Sequence, residues 1–270
     1  MTNVQKIGFI GGGNMAEALI KGLLSGGFAA ERIMASEPSE PRREHLHDEF
    51  AIELTTDNLE VMRNCEIVVL AIKPQIADEV LAEIAGEYRE EKLLVSILAG
   101  VSCAAIEKFF QGAPRVVRVM PNTPALVGEG ASAICRGHHS SKEDLALVKT
   151  LLEAVGSVQI IDERQMDAAT GLSGSGPAYI YTVIEALADG GVREGLRRDV
   201  AHQLAVQTVV GAALMVRETG EHPAILRDRV CSPGGTAITG VSTLEKNGLR
   251  TTLMEAVSAA AARSRELGGH

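Results

Sequence analysis

An apolar run at residues 7–10, Ile-Gly-Phe-Ile, gives way to three glycines, Gly11, Gly12 and Gly13, and then to Asn14, Met15 and Ala16. Gly11, Gly13 and Ala16 fall on the G-x-G-x-x-A spacing of a dinucleotide-binding turn. The spacing has a physical logic. Gly11 permits a tight turn off a strand, Gly13 lets a pyrophosphate approach the backbone, and Ala16 lets the next helix lie close to the sheet. The anion then meets the free N–H groups and the positive dipole end of that helix. Alone, such a string is only a tight strand–helix turn. Here it follows a strand and opens an amphipathic helix, which is the context a nucleotide site needs.

Short β-rich runs alternate with helical stretches as far as residue 161. Strands are predicted at residues 6–10, 32–35, 52–54, 66–71, 93–97, 115–119, 131–135 and 158–161, and helices include 14–25, 76–85, 103–109 and 142–155. Repeated strand–helix–strand order predicts parallel βαβ units with right-handed crossovers. The run Glu66-Ile67-Val68-Val69-Leu70-Ala71 is apolar after its first residue, as suits a strand covered on both faces. Beyond Glu163 no strand is predicted. Helices are expected at 177–192, 197–217, 223–230, 237–247 and 249–267. Ser175 before Pro177 and Ser232 before Pro233 mark starts, and Gly195, Gly220 and Gly248 mark ends. The expected fold is an α/β Rossmann-type doubly wound sheet over residues 1–162, followed by an all-α domain over residues 163–270.

All five phenylalanines precede Gln111 and there is no Trp. The helical half must therefore build its core from Ala, Leu, Val, Ile and Met, a composition that suits close helix packing. A net charge of -9 argues against nucleic-acid binding through a broad basic surface. Any anionic ligand has to be held by local backbone dipoles or by a few Arg and Lys. Cys65, Cys103, Cys135 and Cys231 are far apart and form no C-x-x-C pair, so neither a zinc site nor a disulfide framework is expected. The polar start passes into a strand without a signal-peptide pattern. No apolar run is read as long enough to span a membrane, and a cytoplasmic location is expected.

The second predicted strand ends at Ser36 and Glu37, with Arg42 and Arg43 close behind. Glu37 suits a free ribose 2′-hydroxyl and hence NAD, whereas Ser36 with either arginine suits a 2′-phosphate and hence NADP. The reading leans to NADP, with a solvated helix face as the plain alternative for the arginines. Lys73, between Ile72 and Pro74, follows the fourth strand and sits where a ribose or phosphate would pass.

More specific strings follow the fingerprint: Thr170-Gly171-Leu172-Ser173-Gly174-Ser175-Gly176-Pro177-Ala178-Tyr179, then Ala186-Leu187-Ala188-Asp189-Gly190-Gly191-Val192, then Ser232-Pro233-Gly234-Gly235-Thr236. With Ala71-Ile72-Lys73-Pro74 and Met120-Pro121-Asn122-Thr123-Pro124, they resemble pyrroline-5-carboxylate reductase across essentially the whole chain. The resemblance implies a Rossmann domain, a helical dimerisation domain, and dimers that assemble further into rings. It implies hydride transfer from NADPH or NADH to the imine carbon of 1-pyrroline-5-carboxylate, giving proline. It places the cofactor against Gly11, Gly12, Gly13, Asn14, Met15, Ser36, Asn58, Ala71, Lys73, Pro74 and Ala99. The substrate is placed near Glu163, Ser175, Ser232, Gly234, Gly235, Thr236 and Ala237, with the substrate loop of one subunit facing the nicotinamide of the other.

One position departs from the pattern. The family carries a hydroxyl residue after Gly-Gly-Thr, proposed to act on the imine nitrogen, and this chain has Ala237 there. If the imine binds already protonated, the protein needs only to hold an iminium and a carboxylate. The glycines before Thr236 expose backbone N–H groups at a helix start for that carboxylate, and the Thr236 hydroxyl adds a donor or serves as a helix cap. Glu163 is expected to accept from the ring N–H and stabilise its charge. A hydroxyacid dehydrogenase, the nearest rival, would use a lysine in the helical half, where this chain has only Lys246, outside any motif. A non-catalytic dinucleotide sensor would need no second glycine-rich anion site.

Overall fold

The computed structural model describes residues 6–268. Eight strands form one sheet: β1 (Ile7–Ile10), β2 (Ile33–Ser36), β3 (Glu53–Thr55), β4 (Ile67–Leu70), β5 (Leu93–Ser96), β6 (Arg115–Met120), β7 (Gly130–Arg136) and β8 (Gly156–Ile160). Their order is β3-β2-β1-β4-β5-β6-β7-β8. From β3 to β6 every neighbour is parallel, so the chain reverses direction across the sheet between β1 and β4, the place where α/β sheets open a ligand crevice.

Parallel order fails at β7, which pairs antiparallel with β6, while β8 runs parallel to β7. The reason lies in the connection. Residues 121–129 hold only a short 3₁₀ turn, Thr123–Val127, and a parallel return needs a crossover of about a dozen residues or more.

Helices cover both faces: α1 (Asn14–Ser25), α2 (Glu40–Phe50), α3 (Asn58–Asn64), α4 (Ala77–Ile84), α5 (Cys103–Glu107) and α6 (Lys142–Leu152). Alternation along the strands divides the core in two. Ile7, Phe9, Ile33, Val69 and Val95 meet Leu19, Ile20, Val148 and Leu152 of α1 and α6. Ile10, Met34, Val68, Leu70 and Leu94 meet Val61, Met62, Leu81, Ile84 and Ile106 of α3, α4 and α5. Strands buried on both sides explain the unbroken apolar runs.

After β8 the chain continues as α7 (Met166–Ala169), α8 (Gly176–Arg193), α9 (Arg198–Thr219), α10 (Pro223–Val230), α11 (Thr236–Lys246) and α12 (Leu249–Leu267). Two compact units result. One comprises Met1–Ser175 with Ser258–His270, and the other is Gly176–Val257. The chain thus leaves the sheet unit after Ser175, beyond the end of β8, because the segment behind β8 packs on that unit through Met166, which is fully buried. The last turns of α12 return to it, where Ser264 Oγ donates to Asp167 Oδ1 at 2.6 Å.

In the second unit the buried cluster is Ala188, Ala201 and Ala205, between α8 and α9. Large apolar side chains such as Tyr181, Leu187, Leu204, Met215 and Met254 are exposed in the single chain. Contrary to the expectation from sequence, α9 is by length and composition apolar enough to cross a membrane, with 11% of its apolar window buried in the single chain. Its apolar residues are small or medium-sized and interrupted by His and Gln, so no single block stands out to the eye.

Candidate active site

Because β1, β2, β4, β5 and β6 are parallel, the segments that follow them share one edge of the sheet. The glycine turn after β1 is built as its residue types require. Gly11 has φ +96, and a Cβ there would lie 2.5 Å from the Ala71 carbonyl oxygen, so both conformation and space demand glycine. Gly13 differs. It is exposed, and an added Cβ would meet nothing within 4 Å. Gly13 is also the N-cap of α1, where no side chain caps the helix. The first-turn N–H groups therefore lack a side-chain acceptor and face open space, which fits a bound pyrophosphate.

At the end of β2, Ser36 is buried and its hydroxyl donates to Asn58 Oδ1 at 2.7 Å, while Asn58 Nδ2 donates to Glu83 Oε2 at 2.8 Å. Glu37 turns back to the glycine loop, accepting from Gly12 N–H on Oε2 and from Ser39 N–H on Oε1, both at 2.9 Å. The two arginines are anchored rather than forming a solvated face. Arg42 donates to the Gly12 carbonyl and to Glu17, and Arg43 donates to the carbonyls of Glu37 and Pro38. Burial pushes the Glu17 carboxyl up, but bonds from Arg42 and His45 outweigh it and hold it below the ordinary range. That ion pair offsets an acid in the first turn of α1, where it would otherwise repel a phosphate.

Ala71 is half-buried after β4, and Lys73 and Pro74 are exposed, with Lys73 capping the short turn Pro74–Ile76. Ala99, half-buried, follows β5. Within the first unit, then, the residues expected to meet a dinucleotide converge on one sheet edge.

Residues 170–176 form a wide helical turn rather than a helix start. Met166–Ala169 is already helical, Ser175 N–H donates to the Thr170 carbonyl at 2.9 Å, five residues back, and α8 follows directly. Ser175 is therefore an interior turn residue and not the cap expected from its place before Pro177. Pro177 has no N–H, so the Ser173 carbonyl four residues earlier lacks its helical donor. Asn122 fills the gap. Its Nδ2 donates to Ser173 O at 3.0 Å and its Oδ1 accepts from Ala131 N–H at 2.8 Å. Asn122 is 7% exposed. In the sequence Asn122 belongs to a motif without an assigned task; its one signal is the proline that orphans a carbonyl.

Glu163 stands in a different neighbourhood. Its Oε1 accepts from Cys103 N–H at 2.7 Å and lies 3.4 Å from Nη1 of Arg118, which is buried. Cys103 and Cys135, distant in sequence, come together beside it, because Cys135 is the register partner of Arg118. The thiol of Cys103 is pushed far up, first by its bond with Cys135 and then by burial.

The remaining expected residues belong to the second unit. Ser232, Gly234 and Thr236 are exposed, and Gly235 and Ala237 half-buried. Gly234 has φ +67 and Gly235 N–H donates to the Ser232 carbonyl at 3.0 Å. Gly235, not Thr236, is the N-cap of α11, with no side-chain cap bond. The first intrahelical bond from this cap runs from Thr239 N–H to the Gly235 carbonyl at 3.3 Å. The backbone N–H groups of Thr236, Ala237 and Ile238 precede it, so the helix start can receive a carboxylate.

Comparison with known proteins agrees with this architecture. A family described as pyrroline-5-carboxylate reductase dimerisation matches residues 163–267, and one described as NADP oxidoreductase coenzyme F420-dependent matches residues 6–100. Pyrroline-5-carboxylate reductases of Arabidopsis thaliana and Methanosarcina acetivorans are 47% and 48% identical, covering 97% and 98% of this chain and 95% and 98% of theirs. Among solved structures, the enzyme of Coxiella burnetii superposes with a TM-score of 0.92 at 37% identity, covering 98% of this chain and 99% of that one. The Plasmodium falciparum pyrroline carboxylate reductase with NADP bound gives 0.89 at 36% identity, covering 99% of each. A full-length match of this kind means that the chain belongs to the pyrroline-5-carboxylate reductase family, NAD(P)-dependent oxidoreductases that reduce a cyclic imine to proline.

Proposed function

We propose that this reductase draws its hydride from NADPH in preference to NADH, with residues 1–162 holding the dinucleotide and residues 163–270 the dimer contacts and the substrate. The open cradle at Gly13 carries the reading: its N–H-rich helix start has no side-chain cap and no atom where a Cβ would point. Around it, Gly11, Gly12, Asn14, Met15, Ser36, Asn58, Ala71, Lys73, Pro74 and Ala99 line the same edge. Support for NADPH comes from Ser36 at the end of β2 with Arg42 and Arg43 in the first turn of α2, and from the NADP in the Plasmodium falciparum relative. One observation favours NADH: the Glu37 carboxylate rests on Gly12 N–H, where it would repel a 2′-phosphate and accept from a 2′-hydroxyl.

The bound nicotinamide supplies a hydride, and the chain's residues bind, orient and neutralise. The N–H groups at the start of α11, with the hydroxyls of Ser232 and Thr236, hold the substrate carboxylate. Glu163 accepts from the ring N–H through the oxygen turned away from Cys103 and Arg118, and so favours the iminium. Ala237 removes a side-chain proton donor, so the substrate arrives protonated. Helix faces exposed in the single chain, α9 among them, pack against a second copy, and such dimers assemble into rings in the cytoplasm.

The test compares initial rates with NADPH and NADH on adding pyrroline-5-carboxylate, in the native chain and in Glu37→Gln. Higher kcat/KM with NADPH, raised further relative to NADH by Glu37→Gln, is the expected result. A preference for NADH would overturn the cofactor assignment while leaving the reductase intact.

A further inference from the structure

We propose that Cys103, Cys135 and Glu163 form a site for a soft divalent cation of the zinc type. Two sulfurs and a Glu163 carboxylate oxygen lie within 4.8 Å of one another. Tetrahedral zinc, with bonds of about 2.0–2.3 Å, places neighbouring ligand atoms about 3.3–3.8 Å apart, so a closing movement of about 1 Å completes the set. Thiolate ligands select zinc, cadmium or cobalt over magnesium or calcium.

The three residues come from separate segments that the fold brings together. Cys103 opens α5, Cys135 lies in β7, and Glu163 follows β8. Both cysteines are buried and neither is in a disulfide. Charge also closes. Two thiolates and a carboxylate exceed a divalent ion by one negative charge, and the buried Arg118 guanidinium beside Glu163 supplies the balancing positive one. With Nη1 3.4 Å from Oε1, Arg118 holds the carboxylate ligand as outer partners of metal ligands do. Access is provided by a cavity of about 310 Å³ lined by Cys103 and Glu163 together with Glu107, Arg136 and His138. It leaves room for a water, or for the His138 ring, as fourth ligand. A bound ion would tie α5, β7 and the turn behind β8 together.

The site shares Glu163 with the proposed substrate contact, and a readout at the thiolates keeps the two distinguishable. The full chain, reduced and freed of metal by a chelator, is titrated with Co²⁺ and then with Zn²⁺. A thiolate-to-cobalt charge-transfer band saturating at one ion per chain and bleached by Zn²⁺ is expected. Cys103→Ala and Cys135→Ala should each abolish it, Glu163→Gln should weaken Co²⁺ binding roughly tenfold or more, and Cys231→Ser should leave it unchanged. Absence of the band in the unsubstituted chain overturns the site, as does a band that survives Cys103→Ala and Cys135→Ala or vanishes in Cys231→Ser. Since emptying a buried position can unfold the chain, the unsubstituted protein gives a second measure. Its Tm should rise with Zn²⁺ and not with Mg²⁺, and no rise with Zn²⁺ overturns the proposal.

Discussion

Two neighbouring glycines answer to different demands, and the difference is measurable. Gly11 is required by the fold, whereas at Gly13 nothing in the chain itself opposes a side chain. Gly13→Val should therefore leave far-UV circular dichroism and Tm nearly unchanged while NADPH titration shows at least a tenfold loss of affinity, and an unchanged titration would remove the pyrophosphate from this turn. Asn122 makes a second case. Truncating it to alanine orphans the Ser173 carbonyl and the Ala131 N–H, both half-buried, at a cost towards the low end of about 1–3 kcal/mol for each group left unpaired. As a positioning residue for the Ser173–Ser175 turn, Asn122→Ala should raise KM for pyrroline-5-carboxylate several-fold with the Kd for NADPH unchanged. Equal changes in both would mark general loosening instead.

At the level of elements, α6 is a place where acid should tell. Ser141 and Asp144 form a capping box at its start, and Arg115 of β6 donates to both carboxylate oxygens of Asp144. Burial pushes the Asp144 carboxyl up, but Arg115 and the Ser141 N–H outweigh it and hold it below the ordinary range. A carboxyl depressed on folding stabilises above its unfolded pKa and loses that contribution as pH falls through the folded value. Asp144→Asn should thus cost about 1–3 kcal/mol at neutral pH. Its deficit should shrink below about pH 4, as read by urea unfolding across a pH series. A deficit constant with pH would exclude the ion pair.

Legibility followed the same physics. Buried strands showed as unbroken apolar runs, and α10 and α12 had sharp boundaries because Pro223 and Gly248 punctuate them. Helix α2 gave no periodic signal, since it buries only Leu46. The antiparallel β7 departs from the parallel order expected, because residues 121–129 are too few for a crossover. Cys103 and Cys135 looked unrelated because only the packing of α5 on β6 and the pairing of β6 with β7 bring them together.

Across the whole molecule, the second unit buries little in a single chain: Ala188, Ala201 and Ala205 form its cluster while many leucines stay exposed. Each Leu left wet forgoes about 1.5–3 kcal/mol, so a second copy is the natural cover. If each active site combines the cradle of one chain with the α11 start of another, two separately inactive chains should rescue each other. Gly13→Val and Thr236→Arg subunits, mixed by denaturation and refolding, should regain about a quarter of native activity, since about half the dimers are mixed and each of these carries one undamaged site. No recovery despite proven heterodimers would mean that each site is built within one chain.

The division of the chain has an implication for synthesis. The second unit, Gly176–Val257, is inserted in the first, which is completed only by residues from Ser258 onward. Asp167 waits for Ser264, and Gly100, at φ +78 beside Ala99, packs against Leu267 and Gly268. A nascent chain therefore presents its whole sheet to the cell before the segment that finishes the sheet unit has left the ribosome. The loop bearing Ala99 therefore gains these neighbours only after the whole second unit has been made, later than the rest of its sheet edge.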